Sequence, residues 1–428
     1  MVIMKKQSKT ILMAFFTIVF GNIAVGHAEF GPFARAGETD ETGVVPINFG
    51  DWDFAQETAF FVDAKYGHSI ALTPNKKVYA WGQNNYGQLG DGSGMNSSIP
   101  IDITDRIGYE EDEVVTMVSV GGEHSIALTS YNRVFIWGSN VYGQLGYSYD
   151  GTYPGEITFQ FGLSEGEFIV MISAGLEHSL ALSSFGRIFA WGRNNYRQVG
   201  PLAIDSYPVP TDITSDLWLD EYQDEKVTKI FSGGNQSLAL TDMGRIFVWG
   251  ENYDDYNNSA NRPDVTNRFF LYMGENIDKI SIWGNKFFVL TSQNRVLYED
   301  PESSINQLYG NPQLQEIPYM YLGIDEKITS FSSGPGYFLM VTDLGNVIGW
   351  GDNSQGQIKF GGDPSYPSHI DITSEFWISM DETIIDVFAG LSFSIAVTSL
   401  GRIFAWGEAY WNPYPPPYQL EITSWFYD

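Results

Sequence analysis

Trp81-Gly-Gln-Asn-Asn-Tyr-Gly-Gln-Leu-Gly90 returns further on as Trp137-Gly-Ser-Asn-Val-Tyr-Gly-Gln-Leu-Gly146. Weaker copies start at Trp191 and Trp350, and Trp-Gly pairs also stand at Trp249-Gly250 and Trp406-Gly407. Successive pairs lie 56, 54, 58, 101 and 56 residues apart. The gap of 101 contains one degenerate copy, with Glu299-Asp300 in the aligned slot, so the chain holds seven units. Self-similarity at such a period marks an architecture in which each unit buries its apolar faces against the next.

The residues around each pair give the unit its strands. An apolar run closed by a hydroxyl precedes each slot: His68-Ser-Ile-Ala-Leu-Thr73, His124-Ser-Ile-Ala-Leu-Thr129, His178-Ser-Leu-Ala-Leu-Ser183 and Gln236-Ser-Leu-Ala-Leu-Thr241. Later copies end at Thr291, Thr342 and Thr398. Asn132, Gly186, Gly244, Asn294, Gly345 or Gly401 follows three residues on, with Lys76 in the first unit. Gly and Asn tolerate the positive φ of tight hairpins. The tryptophan strand comes next, and an Asp-Ile-Thr element at Asp102, Asp212 and Asp371 ends a fourth. Strands two and three are apolar on both faces, as a sheet wedged between two others requires. The expected fold is all-β: a seven-bladed β-propeller of four-stranded antiparallel blades, closed so that no long edge is exposed. Val45-Pro-Ile-Asn-Phe49 and Gln419 to Thr423 both resemble strand four. One closes the ring and the other caps it, and the sequence leaves the choice open.

The motif Trp-Gly-x-Asn-x-x-Gly-Gln-Leu-Gly, preceded by Gly-x-x-His-Ser, resembles the regulator of chromosome condensation repeat, over roughly residues 44 to 428. The resemblance implies a seven-bladed propeller. Its eukaryotic namesake is a guanine-nucleotide exchange factor that binds chromatin, so exchange activity is one implied function, by analogy alone. This chain has no basic N-terminal tail and no evident long insertion to act as an exchange wedge. Plant ultraviolet-B receptors share the repeat but depend on clustered tryptophans in the turns that here hold Tyr66, Glu123, Glu177 and Asn235. A secreted bacterial β-lactamase-inhibitor protein is similar in architecture and in being exported.

Lys5, Lys6 and Lys9 precede an apolar stretch from Ile11 to Phe20, and Gly26-His27-Ala28 offers a small-residue cleavage site. This reads as a secretory signal of the bacterial kind. The alternative is a retained anchor, although the stretch is short for a bilayer span. The expected organisation is a signal peptide at 1–28, a linker at 29–43 and one propeller at 44–428, secreted or held at the cell surface. No membrane span is expected after signal removal. The net charge is −29, and losing three lysines leaves 20 basic residues against 52 acidic. Such a field repels phosphate backbones, so nucleic acid is not an expected partner.

No cysteine is present, which removes disulfides and thiolate metal sites. His68, His124 and His178 share one repeat position, each in its own blade, and are expected to form repeated hydrogen bonds rather than a metal site. His369 is expected in a loop. Trp81, Trp137, Trp191, Trp249, Trp350 and Trp406 are expected to be structural. No nucleophile motif, phosphate loop or zinc signature is found, so neither enzyme activity nor a cofactor is expected. Acidic clusters at 110–113, 165–167, 220–225, 325–326 and 381–382 fall between strand four and the next strand one. Lys77, Arg133, Arg187, Arg245, Arg295 and Arg402 occupy one position just after the strand two to three turn. In an up-and-down blade the two sets meet at one end, as surface pairs contributing about 0–1 kcal/mol each.

The opposite end presents loops rich in Tyr, Asn, Gln and Gly, a mixture that antibody paratopes also use. Tyr86, Tyr142, Tyr196, Tyr253, Tyr410, Trp411 and Tyr414 are the candidate partner-binding residues. The expected function is an exported protein-binding module or scaffold using the loop face of the propeller, as an inhibitor or a surface receptor, with a carbohydrate-binding lectin as the alternative. The partner is an unidentified protein, and a glycan is the second choice. Glu299, in a tryptophan's place, is expected to be exposed or paired.

Overall fold

The computed structural model describes residues 61–108, 110–146, 151–201, 204–217, 219, 224–251, 264–266, 271–283, 286–299, 315–316, 322–323, 326–359, 362–407 and 420–421. Residues 57–428 form one compact unit. The expected signal, the linker, the boundary at residue 44 and the Val45–Phe49 strand lie outside the described residues.

Seven antiparallel sheets follow one another along the chain, their strands hydrogen-bonded in sequence order. The blades span Phe61–Asp102, Val115–Glu156, Ile169–Asp212, Val227–Gly250, Ile277–Glu316, Ile328–Asp371 and Ile384–Glu421. In the fourth, an isolated bridge from Phe247 to Asp264 supplies the outer pairing. Among the described residues the only helical elements are short 3-10 turns, such as Thr104–Arg106 and Thr214–Leu217.

Burial explains the two-sided apolar pattern. His124–Thr129 and Val134–Gly138 are buried at every position. Wedged between two blades, such strands gain roughly 1.5–3 kcal/mol for each large side chain removed from water. The fourth strands are part-exposed and carry Pro100, Pro208 and Pro210, which cannot donate to a further strand and so protect the outer edge. First strands neighbour one another around the ring, and Ile384–Ala389 of blade 7 neighbours Phe61–Lys65 of blade 1. That closing seam packs Val62, Ala71 and Trp81 against Phe393, Ile395 and Ile403. The outer strand of blade 7 is Leu420–Glu421, paired to Phe404 and Ala405. The C-terminal copy of strand four therefore completes its own blade.

The glycine of each Trp-Gly pair is enforced by a close approach. Gly138 has φ +106°, and a Cβ there would sit 2.4 Å from the carbonyl oxygen of Glu123. The same strand end brings the serine of one blade to the loop of the preceding blade. Ser125 Oγ and Trp137 Nε1 both donate to the carbonyl of Gln88, at 2.8 and 2.9 Å. Ser179 and Trp191 do the same to Gln144, and Ser237 and Trp249 to Gln198. His68, His124 and His178 Nε2 then reach Ser125, Ser179 and Ser237 at 2.8, 2.9 and 2.9 Å. Each serine spends its single proton on a carbonyl, so each histidine must donate from Nε2. These latches are fully buried.

Blades 5 and 6 depart from this scheme. Phe287 and Phe338 stand where the serine would be, paired to Glu299 and Trp350. An aromatic cluster takes over: Phe338 lies 4.8 Å from Phe288, 5.5 Å from Phe331 and 4.1 Å from Trp350 between ring centroids. His369 is not a loop residue. It lies on the Ser365–Asp371 strand, with its ring 4.4 Å from Trp350. Glu299 occupies the tryptophan register, and its side chain lies outside the described residues.

The arginines and acidic connectors meet at one end, but not as surface pairs. Glu113, Glu167, Glu225 and Glu275 have side chains with 0% exposure. Arg187 places Nε 2.8 Å from Glu167 Oε1 and Nη2 2.5 Å from Oε2, a bidentate clasp. Arg133, Arg245 and Arg402 repeat it on Glu113, Glu225 and Glu382. In blade 6 the arginine is replaced by Asn346, which donates to Glu326 at 2.7 Å. Hydrogen bonds from Arg187 hold the Glu167 carboxyl down at about 2.

Candidate functional site

The turns joining strands one and two, and the loops joining three and four, share the other end of the ring. Each long loop is shaped by its own side chains. Asn84 Oδ1 accepts from the Leu89 N–H at 2.9 Å, and Gln88 Oε1 accepts from the Tyr86 N–H at 3.0 Å. Leu89 is buried, whereas Tyr86 is 47% exposed at the loop tip. Asn140, Gln144 and Tyr142 repeat the arrangement in blade 2, and Asn194, Gln198 and Tyr196 in blade 3. The polar and apolar repeat residues thus build the loop, and the tyrosine is what it presents.

The three tyrosines are not equivalent. The Arg193 guanidinium lies 4.6 Å from the Tyr142 ring centroid and forms an ion pair with Glu177. This joins a blade 2 loop to a blade 3 strand end and turn, in cation–π geometry. Tyr86 and Tyr196 stand more exposed on either side. Glu123, in the equivalent turn of blade 2, has its carboxyl pushed up by burial and then by the charge of Glu177. In blade 4, Asn235 Nδ2 donates to Glu251 at 3.0 Å, and Gln198 Nε2 reaches Asn235 at 3.4 Å. An aromatic and charged strip therefore crosses blades 2, 3 and 4. Tyr253, Tyr410, Trp411 and Tyr414 lie outside the described residues.

Sequence reasoning missed Arg193. The signal was its place directly after Trp191-Gly192, where other units carry Gln83, Ser139, Glu251 or Asp352.

Nearer the axis, Tyr66 reaches across the ring. Its backbone has φ +50°. Its Oη accepts from the Gly234 N–H of blade 4 at 2.6 Å, and its ring lies 4.9 Å from Trp283 of blade 5. Lys65 Nζ donates to the Ala174 carbonyl of blade 3 at 3.3 Å. Blades 3, 4 and 5 do not adjoin blade 1, so these contacts span the axis at the loop end.

Among the described residues no group of His, Asp and Glu is arranged to hold a metal ion. None of their helices is long and apolar enough to cross a membrane.

The family described as Regulator of chromosome condensation (RCC1) repeat matches residues 76–128, 131–182 and 186–240. A second description of the same repeat matches residues 61–88, 115–144 and 169–198. The chain is similar to the Ultraviolet-B receptor UVR8 of Arabidopsis thaliana, at 26% identity over 356 residues, 81% of this chain and 76% of the receptor. It is 34% identical over 186 residues to the probable E3 ubiquitin-protein ligase HERC6 of Homo sapiens, covering 43% of this chain but 17% of the ligase. Among solved structures, Prp20p of Saccharomyces cerevisiae superposes with a TM-score of 0.60 at 20% identity, over 78% of this chain and 81% of that one. That likeness is one of fold.

Proposed function

Because the chain belongs to the RCC1 repeat family, we propose that it is an exported protein-binding module that engages its partner through the loop face of blades 1 to 4. The observation that carries this reading is the Tyr142–Arg193–Glu177 group, flanked by exposed Tyr86 and Tyr196. Tyrosines of this kind offer large contact area at low entropic cost. Here the loop bonds of Asn84, Asn140 and Asn194 hold them in place before any partner arrives, which reduces the ordering cost of docking. Family precedent adds support: the Prp20p structure is described together with its binding to Gsp1p and histones. Export rests on the basic and apolar pattern of the first 28 residues. The role is binding rather than catalysis, as an inhibitor or a surface receptor.

The test is an affinity capture with the chain from residue 29 onward, against secreted and surface proteins of its own habitat. A variant with Tyr86, Tyr142 and Tyr196 changed to alanine runs beside it. A protein held by the parent and lost by the folded variant supports the reading. Equal retention by both rejects the loop face, and glycan-array binding without protein capture replaces the reading with a lectin.

A further inference from the structure

The end of the ring opposite the loop face carries the turns between strands two and three, and one position in those turns repeats. Tyr131, Phe185, Met243, Leu344 and Leu400 are each the second residue after the strand-closing hydroxyl, and each is 42–65% exposed. Blades 1 and 5 carry Asn75 and Gln293 there. A turn tip is solvated whatever residue fills it, and polar turn formers normally do so. Single exposed apolar residues need no explanation, but five at one repeated position are arranged around the ring rather than scattered. Exposed Phe159 and Trp377 on the connectors at the same end add to them.

Charge distinguishes what this ring would meet. Arg133, Arg187, Arg245 and Arg402 leave these same turns but fold back onto buried glutamates, so their positive charge is neutralised. Glu110, Glu111, Asp112, Glu165 and Asp381 stand exposed on the connectors between the turns. Of the exposed cations at this end, Lys76, Lys77 and Arg106 belong to blade 1 and its outgoing connector, where the tip is Asn75, Lys226 pairs with Asp224 at the entry to blade 4, and Lys327 lies beside blade 6. Apolar tips therefore stand beside uncompensated acids at the entries to blades 2, 3 and 7.

We propose that this face docks a cationic protein segment that also carries apolar side chains, as an amphipathic lysine- and leucine-rich stretch does. Such a segment supplies a basic group for the connectors and an apolar one for the tips. A second copy of this acidic chain, or an anionic bilayer, would bring like charge to the acids.

The test measures binding of three labelled probes to the full chain: an amphipathic lysine–leucine peptide, a lysine–serine peptide of equal charge and neutral phosphatidylcholine vesicles. One variant combines Tyr131→Ser, Phe185→Ser, Met243→Ser, Leu344→Ser and Leu400→Ser. A second combines Tyr86→Ala, Tyr142→Ala and Tyr196→Ala. The lysine–leucine peptide should bind the parent and the loop-face variant alike, weaken with added salt, and lose at least about tenfold affinity for the turn variant. Should the fivefold change prevent folding, the single changes at Phe185 and Leu344 must each lower affinity. Equal affinity for parent and turn variant overturns the proposal, as does equal binding of the lysine–serine peptide. Vesicle binding, or self-association that the turn variant abolishes, would assign the face to lipid or to a second copy instead.

Discussion

The hydroxyl of Tyr66 accepts a hydrogen bond from the backbone of Gly234, 168 residues away, at 2.6 Å. The same ring lies against Trp283, so one turn of blade 1 is tied to two blades with which blade 1 shares no seam. Burial pushes the Tyr66 hydroxyl well above the ordinary tyrosine range, which keeps it protonated. Tyr66→Phe removes the acceptor and strands the Gly234 N–H, at a cost of about 1 kcal/mol. Tyr66→Ala also loses the ring contact and should cost about 3 kcal/mol. Urea unfolding midpoints of the two variants check this order. Equal midpoints for parent and Tyr66→Ala would show that the crossing carries no stability.

The latches make the fold sensitive to acid. Burial holds His68, His124 and His178 down at about 3, against an ordinary value of 6.5. A depressed histidine contributes stability that is fully present above 6.5 and lost as pH falls toward 3, because the unfolded chain takes up the proton first. Each should cost about 1.4 kcal/mol per pH unit within that window. Glu167, held at about 2, adds a loss that starts only below its ordinary value of 4.5. Urea midpoints should therefore be level from pH 8 to about 7 and fall steadily through pH 6 and 5. A midpoint unchanged at pH 5 would contradict the neutral, buried latches.

The clasp between Glu167 and Arg187 should respond asymmetrically to substitution. Arg187→Ala leaves a carboxylate of 0% exposure without its guanidinium and should cost about 3 kcal/mol. Glu167→Gln leaves the Arg187 side chain, 28% exposed, free to turn to water and should cost less. Thermal unfolding of the two single variants and of the double variant separates the terms. A larger loss for Glu167→Gln would reverse the assignment of burial.

Gly138→Ala places a methyl group 2.4 Å from the Glu123 carbonyl at φ +106°. The strain should cost about 1–3 kcal/mol or more. Gly166→Ala has open space but the same kind of backbone, at φ +78°, and isolates the conformational share. Comparing their unfolding midpoints tests whether the close approach itself excludes a side chain.

Arg193→Ala should weaken partner capture about as much as Tyr142→Ala does, while shifting unfolding by under about 1 kcal/mol. A double-mutant cycle on the captured partner measures whether the two act together. Additive losses would mean that Arg193 does not position the ring.

The fold was legible because each blade repeats a local pattern: an apolar run, a turn residue and a tryptophan strand. Pairings inside a blade follow from spacing alone. Even the clasps have a constant interval, for Glu113, Glu167, Glu225, Glu275 and Glu382 each stand twenty residues before their arginine. What spacing did not reveal is which member of an acidic cluster is buried, because Glu110 and Glu113 differ only in which way the connector turns them. The candidate site was legible in its tyrosines and not in its charges. Arg193 meets Tyr142 across a seam between two blades, and the crossing by Tyr66 depends on ring closure, which no local window contains.

Every blade is made from consecutive strands of its own stretch of chain, the last finished by Leu420–Glu421. Among the described residues the join between first and last blades is made of side-chain packing and one backbone hydrogen bond, from the Leu391 N–H to the Tyr66 carbonyl at 3.3 Å, without a strand shared between them as a clasp. Tension applied between Phe61 and Glu421 would load that join directly. The molecule should yield there like a bracelet parting at its fastening, with the cross-axis tyrosine resisting as a spoke after the rim has opened.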